Sequence, residues 1–102
     1  MLADKFLKLV EMNYKAEREI NFYAGKLSLT PKYLSKLIRE ISGNSASEWI
    51  HRYVMLEAKS LLRSTNMTIQ QISDELNFTS QSFFGKYFKQ HEGMSPKDYR
   101  NS

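Results

Sequence analysis

The chain contains no cysteine, so disulfides, thiolate metal sites and cysteine nucleophiles are excluded, and a reducing compartment suits it. Glycine is scarce as well: the four residues are scattered, and no glycine-rich phosphate loop or P-loop can be assembled from them. There is no HExxH pair, and His51 and His91 stand apart in the sequence, as surface or helix-end histidines do. Apolar runs stay well short of the roughly 20 residues that cross a bilayer, and Met1-Leu2-Ala3-Asp4 opens no signal peptide. These absences predict a soluble cytoplasmic protein that is not an enzyme, with no catalytic residue, metal or cofactor and no membrane partner. A chain of 102 residues can close one core but not a core plus a deep substrate chamber, so function is expected on its surface.

What is present is helical punctuation. Residues 68–100, TIQQISDELNFTSQSFFGKYFKQHEGMSPKDYR, read as a short helix, a tight turn at Leu76-Asn77-Phe78, a second helix opened by a serine, and a Gly-x-Ser-Pro stop. This is the grammar of a helix-turn-helix. Phe84, Tyr87, Phe88 and His91 recur at i, i+3, i+4, i+7, which predicts one stripe facing a core while Ser82, Gly85, Lys86 and Lys89 face outward.

The same grammar occurs earlier in the chain. Leu27-Ser28-Leu29-Thr30 precedes Leu76-Asn77-Phe78-Thr79 by 49 residues; after one inserted residue an offset of 50 pairs Leu34 with Phe84, Lys36 with Lys86, Ile38 with Phe88, Arg39 with Lys89, Gly43 with Gly93 and Trp49 with Tyr99. In the first copy Ile20 to Leu27 forms a short helix with Ala24 as its small residue, the counterpart of Ser73. Thr30-Pro31 then starts a helix whose buried stripe is Leu34, Leu37, Ile38 and Ile41. Lys32, Ser35, Lys36 and Arg39 occupy its opposite side. Four such residues on one helix are more often a plain solvated face; their place on the second helix of a helix-turn-helix favours an interface instead. Ahead of this copy, Leu2, Phe6, Leu9 and Val10 predict an amphipathic helix over residues 3 to about 16.

Between the copies, residues 46–63 contain neither Gly nor Pro and read as one continuous helix with Ile50, Val54, Ala58, Leu61 and Leu62 on its apolar side. At about 1.5 Å per residue it spans roughly 27 Å, which with helix radii approaches the roughly 34 Å between successive major-groove faces of one side of B-DNA. The expected architecture is all-α: about seven helices in a single domain, with a first helix-turn-helix subdomain at about 3–44, a linker helix at about 46–63 and a second subdomain at about 67–101. Lys and Arg number 15 against 11 acidic residues, a net charge of +4 that favours a polyanionic partner.

Ile69, Ile72, Leu76, Phe78, Phe84, Phe88 and Lys89, closed by Gly93-Met94-Ser95-Pro96 and Tyr99-Arg100, closely resemble the DNA-binding domain of AraC/XylS-type bacterial transcription regulators. The resemblance extends upstream through FYAGKLSLTPKYLSKLIREISGNSASEWI, covering roughly residues 20–100. Asn77 stands where many members have glycine, and asparagine tolerates a left-handed backbone. Tyr53 stands where many have arginine, and Ser73 where alanine is usual. The implied function is sequence-specific binding of double-stranded promoter or operator DNA. Lys32, Ser35 and Lys36 of the first copy and Gln81, Ser82, Gly85 and Lys86 of the second are expected at base edges, with Arg39, Lys89 and the capping hydroxyls of Thr30 and Ser80 at phosphates. The resemblance further implies RNA polymerase as a partner, an N-terminal effector-binding or dimerisation domain elsewhere in the complete protein, and association with the nucleoid when bound. A basic helical module that docks an acidic protein is the alternative from another class.

Overall fold

The computed structural model describes residues 1–102 as seven α-helices and no strand: α1 Leu2–Asn13, α2 Ile20–Lys26, α3 Pro31–Ser42, α4 Ala46–Ser64, α5 Ile69–Glu75, α6 Gln81–Glu92 and α7 Pro96–Asn101. Side-chain caps explain the starts. Thr30 accepts the Tyr33 amide at 3.1 Å and Ser80 accepts the Phe83 amide at 3.0 Å, each satisfying a donor that the first turn leaves without an intrahelical partner. Thr68 and Gln71 form a reciprocal capping box at α5, and Ser45 and Glu48 do the same for α4. The long helices α3 and α6 stop at Gly43 and Gly93, whose φ angles of 84° and 90° are left-handed.

The chain divides into two compact units, residues 1–53 and 54–102, and the division falls inside α4. In the first unit Phe6 and Val10 from α1, Tyr23 and Ala24 from α2, Leu34 and Ile38 from α3, and Ala46 and Ile50 from α4 form the core. In the second, Val54, Met55, Ala58 and Leu62 of α4 are buried, as are Ile72, Leu76, Phe78, Phe84 and Phe88. Each unit is thus an outer helix, a helix-turn-helix pair and a closing helix, with α4 closing the first and opening the second.

Both tight turns have one backbone solution. Ser28 and Asn77 share a φ of 58°, and the amide three residues past each short helix reaches back, Leu29 to the Ala24 carbonyl and Phe78 to the Ser73 carbonyl, both at 2.9 Å. The left-handed turn expected at Asn77 is therefore present, and its counterpart is built on a serine.

Three local expectations are corrected. First, α1 ends at Asn13, not near residue 16: the Asn13 side-chain amide donates to the Leu9 carbonyl, and the connection is pinned beyond it, where the Tyr23 hydroxyl donates to the Glu17 carbonyl at 2.7 Å. Second, the buried stripe of α3 stops at Ile38. Its last turn is tied down through Ser42, whose Oγ accepts the Trp49 indole N–H at 2.8 Å, and Ile41 is left 51% exposed on the open side. Third, the apolar stripe of α6 fades similarly: Phe84 and Phe88 are buried, Tyr87 is half-buried against Phe78 with centroids 5.0 Å apart, and His91 at the end is exposed. Tyr53, where the family resemblance leads one to expect arginine, packs its ring against Tyr14 at 5.8 Å.

Candidate nucleic-acid interface

Capping fixes the helices that carry the candidate residues. On α3, Lys32, Lys36 and Arg39 are exposed and Ser35 between them is half-buried; Thr30 is the exposed cap. On α6, Gln81, Ser82, Lys86 and Lys89 are exposed, Gly85 is half-buried, and Ser80 is the exposed cap. Spacings of three and four residues put Lys32, Ser35, Lys36 and Arg39 on one face of α3, and the same spacing gathers Ser82, Gly85, Lys86 and Lys89 on α6. Gln81 sits at the first position of α6, beside that row. The Thr30 and Ser80 oxygens accept amide hydrogens, so each hydroxyl keeps its own proton to donate outward.

The two faces differ in electrostatic surroundings. The Arg39 guanidinium lies 3.6 Å from the Glu48 carboxylate, both well exposed. Glu48 is held below the usual carboxylate range, chiefly because its oxygen accepts the Ser45 amide, then through the Ser45 hydroxyl and, more weakly, the charges of Arg39 and Arg52. A phosphate approaching Arg39 therefore competes with a resident anion, a feature that sequence spacing alone did not disclose. In the second unit Lys59 pairs with Glu92 at 3.0 Å, tying the last turn of α6 to α4. His91 is exposed, but the Tyr87 ring 4.5 Å away shields part of its imidazole, and this partial desolvation holds it below its ordinary value.

Sequence reasoning also passed over Tyr33 and Phe83. They are 49% and 54% exposed, and each is the third residue of its helix at the 50-residue offset. Their signal was available: neither fits the i, i+4 spacing of the buried pairs Leu34–Ile38 and Phe84–Phe88. No group of three or more His, Asp or Glu side chains converges as metal ligands would, and no helix is long and apolar enough to cross a membrane.

A short helix, a left-handed turn and a second capped helix with a polar, basic outer face, occurring once in each unit, define a tandem helix-turn-helix protein. A family model described as a helix-turn-helix domain matches residues 23–102. The chain belongs to that family, as a DNA-binding domain of the AraC/XylS type. It is 29% identical over 99 residues to the HTH-type transcriptional regulator YtdP of Bacillus subtilis, a match that covers 97% of this chain and 13% of that protein. Among solved structures it is similar to the C-terminal domain of AraT, a response regulator from Geobacillus stearothermophilus, with a TM-score of 0.87, 25% identity, and coverage of 98% and 84% of the two chains. The DNA-binding domain of AdpA, solved in complex with a target DNA, shares the fold at a TM-score of 0.79 and 19% identity, with coverage of 98% and 89%. The chain spans about a third or less of the curated relatives it matches, 13%, 32% and 34% of three of them.

Proposed function

We propose that this chain reads double-stranded DNA through both units, with α3 and α6 entering successive major grooves of one duplex, and serves as the DNA-reading part of a larger transcription regulator. One observation carries the reading: a capped, outward-facing helix with small and basic residues follows the same left-handed turn in both units. Lys32, Ser35 and Lys36 on α3 and Gln81, Ser82, Gly85 and Lys86 on α6 then meet base edges, while Arg39, Lys89 and the hydroxyls of Thr30 and Ser80 meet phosphates. The second helix of such a motif lies in the groove with its N-terminal residues at the bases, and residues a turn further along leave the groove floor. The complex of AdpA with its target DNA and the net charge of +4 point the same way. RNA polymerase and an effector-binding or dimerisation domain are the partners expected of the complete protein, acting in the cytoplasm at the nucleoid.

Selection of bound duplexes from a random pool, followed by retardation assays across salt concentrations, tests this. Lys36→Ala should cost about 1–3 kcal/mol on the preferred duplex and relax base choice at one position, whereas Arg39→Ala or Lys89→Ala should weaken all duplexes alike and lower the salt slope by about one. No duplex-specific retardation at low salt overturns the reading.

A further inference from the structure

We propose that Phe83 is a specificity-determining residue of the second unit, reading thymine by apolar contact with its C5-methyl group. The inference deepens the DNA-reading function proposed above and rests on it. An exposed phenyl ring is costly to hydrate, and Phe83, next to Ser82 of the outward row, is 54% exposed. It is also oriented. Its amide is fixed on the Ser80 cap at 3.0 Å, and its ring stands against Phe78, just past the tight turn, with centroids 6.2 Å apart.

The neighbouring residues leave the duplex room to reach it. The outward row of α6 has Ser82 and Gly85 where α3 has Lys32 and Ser35. A Cβ built at Gly85 meets nothing within 4 Å, and its φ is not left-handed, so neither packing nor backbone strain in this fold demands glycine there. What the missing side chain provides is close approach to the helix backbone. A base pair drawn that near to α6 brings its major-groove edge toward the third helical position. Only thymine among the four bases carries an apolar group on that edge. Phenylalanine has no hydrogen-bonding atom with which to read anything else. In the first unit the equivalent Tyr33 sits beside two lysines, which supply polar readout there.

The test uses the full chain and a duplex recovered by selection. Each thymine is replaced in turn by deoxyuridine, which deletes only the methyl group. The wild-type chain should lose about fourfold in affinity at one or two positions of one half-site, the worth of a single buried methyl. Phe83→Ala, with native helix content verified by circular dichroism, should lose at least as much on the thymine duplex and respond no further to deoxyuridine at those positions; Phe83→Leu should keep part of the response. Wild-type indifference to every deoxyuridine overturns the proposal without any variant being needed. So does a Phe83→Ala protein that weakens all duplexes equally and keeps the full deoxyuridine response. Absence of any duplex-specific binding by the wild type strikes instead at the DNA-reading function itself.

Discussion

At the scale of single residues, the two units differ in polarity at one buried position. Ser73 is fully buried and its hydroxyl has no hydrogen-bond partner, while its counterpart Ala24 fills the same place with a methyl group. An unsatisfied buried hydroxyl costs roughly 1–3 kcal/mol, and alanine is the better helix former. Ser73→Ala should therefore stabilise the protein by about 1 kcal/mol and raise its melting temperature by several degrees; an unchanged or lower midpoint in differential scanning calorimetry refutes this. Tyr23 gives the first unit a different signature. Burial, then the nearby Glu17 carboxylate, pushes its phenol up from 10.0 to about 12. The folded state thus keeps a proton that the unfolded chain releases above pH 10.0, so the stability from Tyr23 is complete below that pH and is lost progressively up to about pH 12. Denaturant titrations across that window should show a steep fall that Tyr23→Phe makes shallower. Equal slopes in the two proteins rule Tyr23 out as the cause.

At the scale of elements, the helix ends carry the organisation, and one is closed from a distance. Arg100 on α7 donates through Nε to the Leu62 carbonyl at 2.8 Å and through Nη2 to the Leu61 and Thr65 carbonyls at 3.4 Å. These acceptors lie in and just past the last turn of α4, where carbonyls lack intrahelical donors and a positive charge is favoured. Arg63 stacks over Tyr99 at 4.2 Å, so α4 and α7 are joined by both contacts. Lysine carries the charge but cannot present several donors in one plane. Arg100→Lys should accordingly cost about 2 kcal/mol. Hydrogen exchange should show faster opening at the end of α4 and in α7, with residues 1–53 unaffected. Uniform acceleration across both units defeats the assignment. Closure by Arg100 was not legible in the sequence, where Arg100 stood out only as part of a family resemblance: a contact spanning 38 residues has no periodic signature.

At the scale of the whole molecule, α4 is a single helix that contributes Ile50 to one core and Val54, Ala58 and Leu62 to the other. In the proposed two-groove docking, this helix sets the register of the readers. One alanine inserted between Leu56 and Glu57 turns everything beyond it by about 100° and advances it by about 1.5 Å. The shift can be absorbed; the rotation cannot. Because the insertion also turns Val54 and Met55 away from Ala58 and Leu62, which α4 gives to the same second core, circular dichroism and thermal melting should first establish native helix content. Footprinting of the folded variant should then show protection one groove wide with weak nonspecific binding retained. Protection of both half-sites at wild-type affinity means the readers are flexibly tethered.

Local chemistry wrote most of this fold into the sequence. Thr30-Pro31 announces a helix start, Gly43 and Gly93 announce stops, and the apolar spacing of Leu34–Ile38 and Phe84–Phe88 marks the core faces, because caps, stops and periodicity act within a turn or two of chain; Ser95-Pro96, read as part of a stop, also caps α7. The 50-residue repetition made the duplicated motif plain for the same reason. Tertiary structure alone decided the rest. It chose a left-handed Ser28, where the Leu29 amide turns back to the Ala24 carbonyl, left Ile41 outside the first core, set Glu48 against Arg39, and brought Arg100 to the end of α4. Each outcome depends on which surfaces meet after the helices pack, and helical periodicity specifies a direction around one axis without saying how far the neighbouring element extends to cover it.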